Sequence, residues 1–416
     1  MSKQKNSAPD PSKRRFLKTA AKLGGGALVM VTGGVVWRAV EQDVFSPFDG
    51  PAFEPWQDWK NQQLSGPLAL LPSAILASSP HNTQPWLFLV SDNQIRVYAD
   101  IERNLGSFDP YLREMHIGLG CAVENIAVAA PAFGFQAAVD YHDRTLTGIP
   151  DNGGAQLVAS ITLIKQTPAE HPLYRSIPER HTYRGDYIRD RALDSRILER
   201  FKEVARSEHV ELVLYSTPEE RSRFDDVMMH ATRNIISDRK MVHDSEAWFR
   251  LTADDVQKYR DGVTMDSVGL PGPVNVAAKI LPPMSPDQAN EVWLNKTRDS
   301  HLATAPMTAM LVVRDRYNAV DNLRAGRAWQ RLHLMATRLG LAMHPMNQPV
   351  EWVDRLRMTD QLSSTDSTDS TEFMTKFSQL TQGYEGEATF AFRLGWAKQK
   401  GALSPRRGME SVLIPA

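Results

Sequence analysis

The chain has 416 residues, of which 42% are hydrophobic and 23% charged, an ordinary composition for a protein that buries a sizeable core. Its single cysteine, Cys121, excludes an internal disulfide framework, and no Cys/His cluster has the spacing of a structural zinc site. The formal net charge of −1 conceals a basic N-terminal end: residues 1–45 hold eight Lys or Arg and three Asp or Glu, which leaves 40 basic and 46 acidic side chains in the remainder. This mildly acidic remainder argues against nucleic acid as the main partner.

The basic end continues into an apolar run from Gly24 to Trp37, in which Thr32 is the only polar side chain. The run is too short to span a bilayer and suits the core of an export signal. The preceding segment SKRRFLK, residues 12–18, resembles the twin-arginine signal. That resemblance implies export by the twin-arginine machinery to the periplasm or the outer face of the cytoplasmic membrane. A basic amphipathic N-terminus is the alternative, and the lack of a clean cleavage site leaves retention as a membrane anchor open.

The first elements after this end are an arm, a polar loop and a hairpin. Residues 46–66 are rich in Pro, Trp and Gln and predict a linker or a surface arm. The loop SSPHNTQPW, residues 78–86, crowds hydrogen-bonding side chains between two prolines and leads into an apolar strand. Alternation predicts strands at Trp86–Val90 and Ile95–Ala99, joined by a turn.

A helical pattern follows and then recurs later in the chain. Leu112–Phe133 has apolar residues at helical spacing, with Gly134 as the predicted C-cap. At an offset of 206 residues, five small or apolar positions repeat: Gly120, Ala122, Ile126, Ala130 and Gly134 match Gly326, Ala328, Leu332, Ala336 and Gly340. Chance produces such matches because helices favour these residue types. We interpret the repeat as an ancient duplication because an apolar strand, Met307–Val313, precedes the second helix as well.

The remaining patterns predict helical structure at Ala192–Ala205 and 223–250 and strands at Val210–Tyr215 and Ala388–Leu394. Two further segments are expected to be irregular. Asp261–Pro286 contains GLPGP and LPPMSP, which exclude a continuous helix and predict a long loop or lid. The low-complexity stretch Ser363–Thr371 predicts an exposed loop.

Two basic segments are candidates for an anion site. RHTYR, residues 180–184, places two guanidinium groups, a hydroxyl and an imidazole within one short stretch. The planar fork of arginine suits phosphate because it forms bidentate, charge-assisted hydrogen bonds. SPRR, residues 404–407, follows the last predicted strand. Each segment alone could be a solvated basic surface, but together they could clamp one phosphate dianion from two sides.

These two segments and the SPHNTQPW loop together resemble the nitroreductase family of FMN-dependent flavoproteins, most closely its two-halved, Acg-like branch. The resemblance covers most of the chain from Pro67 onward, although only these three motifs are specific. It implies an α+β, nitroreductase-like fold. Two related halves of one chain, residues 46–168 and 169–416, would form a pseudo-dimer behind the N-terminal signal of residues 1–45.

The resemblance also implies the residues that bind the cofactor, FMN. In that family, basic residues hold the FMN phosphate, and a polar loop approaches the flavin ring from the opposite subunit. The phosphate-binding role maps to Arg180, His181, Thr182, Arg184, Arg406 and Arg407. Contacts with the flavin ring map to Ser79, Asn82 and Gln84, and backbone beside the ring maps to Pro345 and Met346. No side chain is assigned a catalytic role, and no metal is expected.

One departure from the family pattern bears on assembly. Family members carry the arginine element first and the ring loop soon after it in every subunit. Here the loop comes first and the arginine element follows in the other half, so the first half has no arginine element of its own. We therefore expect one complete FMN site at the interface of the halves, a degenerate second site, and a monomer.

The implied activity is flavin-mediated hydride transfer to a small-molecule acceptor, such as a nitro compound, a quinone or a similar conjugated molecule. Nicotinamide cofactors are not expected outside the cytoplasm, so a quinol or a redox partner protein is the expected electron donor. The alternative is sequestration of FMN, in which the 261–286 segment closes over the flavin and allows little turnover. A scaffold that has lost its cofactor is disfavoured because the arginine and asparagine set is intact.

Overall fold

The computed structural model describes residues 37–61, 63–151, 153–359 and 368–415. The twin-arginine segment, and all of the apolar run except Trp37, lie outside the described residues. The strands are β1 (Trp86–Val90), β2 (Gln94–Asp100), β3 (Phe135–Tyr141), β4 (Ala155–Lys165), β5 (Glu211–Tyr215), β6 (Phe249–Arg250), β7 (Val263–Thr264), β8 (Met307–Val313), β9 (Ala342–Pro345) and β10 (Glu387–Gly395). The helices are α1 (Glu54–Asn61), α2 (Leu71–Ala74), α3 (Arg113–Ala129), α4 (Ser195–Arg206), α5 (Pro218–Ser237), α6 (Arg239–Glu246), α7 (Ala253–Tyr259), α8 (Gly272–Ile280), α9 (Pro286–Lys296), α10 (Ala319–Arg338), α11 (Gln348–Met358) and α12 (Thr368–Leu380).

Two four-stranded antiparallel sheets form the framework, and they share one topology. The first has the order β1-β2-β4-β3 and the second the order β5-β8-β10-β9. In each sheet a long helix connects the second strand to the third, α3 in the first unit and α10 in the second. The mixture of helices and antiparallel strands confirms the α+β class. The second unit differs because α5 to α9 lie between its first two strands and α11 and α12 lie between its last two.

The two units meet where α3 crosses α10. A Cβ atom on Gly120 would clash with the carbonyl oxygen of Leu323, and one on Gly326 would clash with that of Ile117. These reciprocal contacts are related by the same 206-residue offset that the sequence shows. Glycine is required at both positions because the backbones approach too closely for any side chain.

The chain end also joins the two units. β10 is the last strand of the second sheet along the chain. The C-terminal segment after it returns to the edge of the first sheet, where Leu413 forms a parallel bridge with Phe88. The Phe88 amide donates to Val412 O at 2.8 Å, and the Ile414 amide donates to Phe88 O at 2.8 Å. The SPRR segment just before this bridge is thereby held beside the first unit.

Most of the predicted elements are confirmed, with small changes at their ends. The hairpin is β1 and β2, the strand at Met307–Val313 is β8, and Gly134 ends the helical segment in the left-handed conformation, with φ of +78°. The helix predicted at Ala192–Ala205 begins three residues later, because the Asp194 side chain caps it by accepting from the Arg196 amide. Among the described helices, α3 with its 3₁₀ extension is long and apolar enough to cross a membrane, but it is mostly buried inside the protein.

Three predictions of irregular structure were wrong in part. The arm at residues 46–66 contains α1, whose Trp56 is buried in the core. The segment Asp261–Pro286 contains β7 and the exposed helix α8, so it is not one continuous loop. Of the stretch Ser363–Thr371, residues 363–367 lie outside the described residues and the rest begins α12.

The predicted helical segment 223–250 also differs from the structure. It spans α5 and α6 and ends in the short strand β6. Asp238 separates the two helices, because its backbone is extended and its side chain accepts from the Lys240 and Met241 amides to cap α6. The helical segment that the sequence pattern predicted is therefore two helices with a capped break, followed by a short strand.

A group of buried carboxyls lies where the start of α3 faces α11. Asp109, Glu114, Glu351 and Asp354 surround Arg113, which binds Asp354 at 2.7 Å and Glu114 at 3.2 Å. Burial raises the pKa of Glu114 to about 7 and that of Asp109 to about 6, although the Arg113 charge opposes both changes. Burial also raises the pKa of Glu351 well above its ordinary value, and the Glu114 charge adds to the effect. Some of these carboxyls therefore keep their protons at neutral pH.

The helix crossing predicts a large cost for one added methyl group. We expect Gly326→Ala to lower the free energy of unfolding by about 3 kcal/mol, the upper end for overpacking, because its Cβ meets backbone that cannot move aside. Gly272→Ala is the matched control, since Gly272 lies in exposed α8 with no atom within 4 Å of its added Cβ. Urea unfolding of both variants measures the difference. Equal stabilities would contradict the tight crossing.

The carboxyl group predicts a specific pH dependence of stability. A carboxyl with a raised folded-state pKa binds its proton more tightly when folded, so its contribution is full below its unfolded pKa and is lost as the pH rises through the folded one. For Glu114 this window runs from 4.5 to about 7. As the pH rises across this window, we expect the free energy of unfolding of Glu114→Gln to increase by roughly 2 kcal/mol relative to that of the wild type. Parallel stability curves for the two proteins between pH 4.5 and 8 would refute the assignment.

Candidate functional site

The predicted ring-contact loop, residues 79–84 and here called the candidate loop, has an unusual backbone. His81, Asn82 and Gln84 have φ of 44°, 56° and 51°, so three non-glycine residues occupy the left-handed region. Such conformations cost of order 1–3 kcal/mol each and persist where the surroundings impose them, often at functional sites. The Ser79 hydroxyl accepts from the Gln84 amide at 3.0 Å and closes the loop. The candidate loop is therefore rigid and strained.

The amide side chains of the candidate loop bind the SPRR segment directly. Asn82 Oδ1 accepts from the Arg406 guanidinium, and Asn82 Nδ2 donates to Pro405 O at 3.0 Å. Gln84 Oε1 accepts from the Arg407 amide at 2.8 Å, and the Arg407 side chain donates to Gln84 O at 3.0 Å. Two motifs separated by most of the chain thus form one hydrogen-bonded unit.

The RHTYR segment brings a second arginine to this unit. Arg180, His181 and Arg406 are here called the first cation group. Arg180 and Arg406 are each 2% exposed, donate to the carbonyls of Leu76 and Ala77, and leave their Nε atoms without a hydrogen-bond partner among the described residues. The His181 ring lies 4.9 Å from that of Trp56, and the Arg406 guanidinium lies 5.0 Å from the same ring.

The electrostatics of the first cation group are those of an uncompensated charge. Neither Arg180 nor Arg406 forms an ion pair with a carboxylate in the part of the chain that the structure describes. Burial lowers the pKa of Arg180 to about 10, and burial with the nearby Arg180 charge lowers the pKa of Arg406 well below its ordinary value. Burial and the two arginines lower the pKa of His181 to about 3, which keeps its imidazole neutral. A buried cation without a partner destabilises a fold, which indicates that an anion completes this site.

The other end of the candidate loop faces Arg184. Burial, and then the Arg184 charge, lower the pKa of His81 to about 4. The His81 Nε2 lies 3.0 Å from Ser245 Oγ, and its ring packs edge-on against Phe108. The His81 imidazole is therefore neutral and packed against its neighbours. The loop thus binds Arg406 through Asn82 and lies within range of the Arg184 charge at His81.

Residues 260–269, here called the closing segment, cover this arrangement. Its carbonyls accept hydrogen bonds from the polar side chains of the site: Arg260 O from Gln84, Gly262 O from Asn82, Ser267 O from Arg184 and Val268 O from Lys296. Gly269 has φ of +72°, and a Cβ there would clash with the backbone of Arg184. These donors of the site are thus held by backbone carbonyls of the closing segment.

The structure places the remaining predicted residues unequally. Thr182 is half-buried between Arg180 and Arg184. Pro345 ends β9, beside a buried His344 whose pKa is lowered by burial and by neighbouring basic residues, Arg184 among them. Met346 packs into the apolar cluster of the second unit, and its amide donates to Ala391 O at 2.7 Å. The roles of these residues toward a cofactor stay predictions.

Four residues near the site lie outside the three sequence motifs: Trp56, Lys296, His301 and Arg393. Arg393 offered the clearest signal, because it is a lone arginine within the apolar strand ATFAFRLG. Lys296 and His301 belong to ordinary helical sequence, and their proximity to Arg184 is a result of the fold.

Comparison with known proteins gives a partial relationship. No family model matches the chain. Two curated relatives, from Mycobacterium tuberculosis strains CDC 1551 / Oshkosh and ATCC 25618 / H37Rv, are classed by name as NAD(P)H nitroreductases. Each is 32% identical over 120 residues, which are 28% of this chain and 33% of the relative. The chain thus spans a third of the length of these relatives.

Solved structures with a weaker likeness include two nitroreductases with bound FMN. The protein from Desulfitobacterium hafniense DCB-2 aligns with a TM-score of 0.33 at 12% identity, over 59% of this chain and 97% of its own. That from Bacteroides fragilis NCTC 9343 gives 0.34 at 11%, over 59% and 98%. A nitroreductase-like family protein from Bacillus cereus gives 0.31 at 10%, over 58% and 95%. Scores of this size do not establish a common fold, so the relationship to nitroreductases rests on the similarity in sequence over 120 residues.

Proposed function

We propose that this chain is an exported FMN-binding oxidoreductase of the nitroreductase family, in its Acg-like branch, and that the first cation group holds the FMN phosphate. One observation carries the proposal. Residues 79–84, 180–184 and 404–407 meet around buried guanidinium groups that no carboxylate of the described residues balances. A phosphate dianion would supply the missing charge and accept from arginines in bidentate fashion.

The donor set fits such a ligand. Arg180 and Arg406 have unpartnered Nε atoms, and the half-buried Thr182, two residues after Arg180, could add a hydroxyl. The neutral His181 ring adds a donor or acceptor without further charge. Arg407 reaches the candidate loop and stabilises it rather than the anion, since its side chain donates to Gln84 O and Ser411 O.

The flavin ring would lie along the candidate loop, with Ser79, Asn82 and Gln84 beside its polar edge. The ring edge presents carbonyl and nitrogen groups, for which amide side chains are suitable partners. The left-handed backbone and Pro80 and Pro85 hold these amides in place before binding, which reduces the ordering cost. Bound FMN would supply hydride transfer through its N5 atom, while the protein supplies position and electrostatics.

The proposed electron acceptor and electron donor follow from the chemistry of the flavin and from the proposed export of the chain. We infer nitro compounds, quinones or similar conjugated molecules as acceptors. The curated relatives are named for NAD(P)H, whereas the segment SKRRFLK favours export to a compartment without it. A quinol or a redox protein is therefore the proposed donor, at the periplasmic face of the membrane.

We further propose that the two units form a pseudo-dimer with one complete site. The repeated strand order and the reciprocal contacts of Gly120 and Gly326 support this. On the side of the candidate loop, neutral Gln330 binds Ser78 and Asn125. Gln330 corresponds to Glu124 at the 206-residue offset.

The opposite side of the helix pair is closed by ion pairs. There Glu124 and Glu208 bind Arg327 and Arg331 at distances between 2.5 and 3.1 Å. Two carboxylates balance two guanidinium groups, so no charge remains to attract a phosphate. This asymmetry supports one FMN per chain and a monomer.

Sequestration of FMN is the second candidate function, and the closing segment favours it. Asn82, Gln84 and Arg184 are bonded to carbonyls of residues 260–269, so a bound flavin could be shielded from acceptors. Rapid mixing of the reduced, FMN-loaded protein with menadione or nitrobenzene distinguishes the two functions. Reoxidation within seconds supports the enzyme, and a flavin that stays reduced supports sequestration.

The phosphate assignment predicts opposite effects of one substitution on binding and on folding. We expect Arg180→Met to weaken FMN binding by about 1.5–3 kcal/mol, because a charge-assisted contact is lost. The same change should leave the flavin-free protein equally or more stable, since it removes an unbalanced buried charge. Flavin fluorescence titration and urea unfolding give the two values.

Arg175→Met is the matched control for this substitution. Arg175 lies five residues upstream, is exposed, and pairs with Glu170 at 2.7 Å. We expect it to leave FMN affinity unchanged. Unaltered affinity in Arg180→Met, or a large loss of stability without flavin, would assign Arg180 a structural role instead.

A further inference from the structure

A second set of cations lies beyond the candidate loop, and one flavin phosphate does not account for it. This second cation group consists of the cations Arg184, Lys296 and Arg393 with two imidazoles, His301 and His344, whose pKa values burial and the neighbouring charges lower well below the ordinary value. Arg393 contacts both histidines, and Arg184 and Lys296 donate to the adjacent carbonyls of Ser267 and Val268. Lys296 ends α9, and the following turn, Thr297–Leu302, is π-helical. Short π-helical turns are rare and frequently mark functional sites.

The deepest member is Arg393, which is fully buried. Its Nη2 donates to Gly185 O at 2.8 Å and its Nη1 donates to His301 O at 3.1 Å. Its Nε lies 3.1 Å from His344 Nδ1, and its guanidinium stacks 4.1 Å from the Tyr187 ring. Arg393 is thus fixed by neutral groups and keeps its full charge inside the protein.

Lys296 and His301 form the outer part of the group. The half-buried Lys296 ammonium donates to Val268 O in the closing segment. The buried ring of His301 packs 4.7 Å from that of His344. Neither His301 nitrogen makes a hydrogen bond of normal geometry with a described residue, although the Arg184 backbone lies close by.

The charge of this group is not balanced within the described chain. Arg184, Lys296 and Arg393 form no ion pair there. The Asp186 charge favours the Lys296 ammonium, but Asp186 is exposed and accepts from Ser300 Oγ at 2.6 Å. Burial, then the Arg184 and Arg393 charges, lower the pKa of Lys296 to about 8, as expected for an ammonium without an acidic partner. The FMN phosphate is already matched by the two guanidinium groups of Arg180 and Arg406.

We propose that Lys296, with His301 beside it, binds a carboxylate of the electron acceptor and thereby selects acceptors that carry one. The proposal rests on the proposed function, because the acceptor must lie next to the flavin at the candidate loop. The closing segment connects the two places, since its carbonyls accept from Asn82 and Gln84 of the loop, from Arg184 and from Lys296. A carboxylate is a stronger acceptor for an ammonium than the neutral Val268 carbonyl that it would replace.

A binding experiment tests the site without turnover. Benzoate and its neutral analogue benzamide are titrated calorimetrically into the full-length chain. We expect benzoate to bind at least about tenfold more tightly than benzamide, as one charge-assisted hydrogen bond allows. Lys296→Met should abolish this ratio, whereas Lys296→Arg should keep it. Equal losses for both ligands, or no loss, would overturn the proposal.

A surface lysine provides the control. Lys202→Met removes an ammonium that pairs with Glu199 at 2.8 Å, and it should leave both affinities unchanged. The pH dependence adds a second check. Benzoate affinity should fall as the pH rises through about 8 in the wild type, because the Lys296 ammonium loses its proton, and should stay constant over that range in Lys296→Arg.

Acceptor kinetics then link the site to the flavin. In the FMN-loaded protein we expect Lys296→Met to raise KM for 4-nitrobenzoate about tenfold, with KM for 4-nitrobenzamide and both kcat values unchanged. A changed flavin midpoint potential with an unchanged benzoate affinity would assign the charge to the flavin and overturn the proposal. FMN titration of the same preparations tests the proposed function separately. Benzoate binding is measured both with and without flavin, so a failure of this site is distinguishable from a failure to bind FMN.

Discussion

The close crossing of α3 and α10 is the contact on which the rest of the structure depends. Gly120 and Gly326 let the two backbones touch, so the helices of both units form one central layer. Hydrogen bonds of Gln330 to Asn125 and Ser78 then connect this layer to the start of the candidate loop. The loop of the first unit therefore faces the arginines of the second. A wider crossing would separate them.

Buried charge in this protein is of two kinds, and the contrast locates the site. Arg113 and Arg331 lie in carboxylate-lined surroundings, where each positive charge has a partner. Arg180 and Arg406 are nearly as deeply buried as Arg113, and more deeply than Arg331, but bind only neutral groups within the described chain. Because both kinds occur in one molecule, the unbalanced cations are a local feature of the site. The strained candidate loop lies against the same arginines.

Sequence patterns predicted the framework well where local chemistry dictates it. Alternation identified β1 and β2, and Gly134 stands where the left-handed helix end requires glycine. Helix α8 was missed because GLPGP resembles a loop, although Pro273 lies in the first turn, where a helix tolerates proline. Within the site, the three sequence motifs predicted that Arg180, Arg406 and Asn82 belong to one site. Arg393 could have been noticed as the lone arginine of an apolar strand, whereas Lys296 belongs to ordinary helical sequence and comes near Arg184 only through tertiary packing.

The central claim is that one chain carries one FMN site between its two units. The most direct test is to purify the full-length protein with excess FMN, remove free flavin, and measure the FMN released by heating per mole of chain. The account predicts one FMN per chain, from a monomer. Two FMN per chain would contradict it by showing that the ion-paired side, with Glu124 and Arg331, also binds flavin. A protein that retains no FMN would show that the cofactor assignment is wrong and would contradict the proposed function.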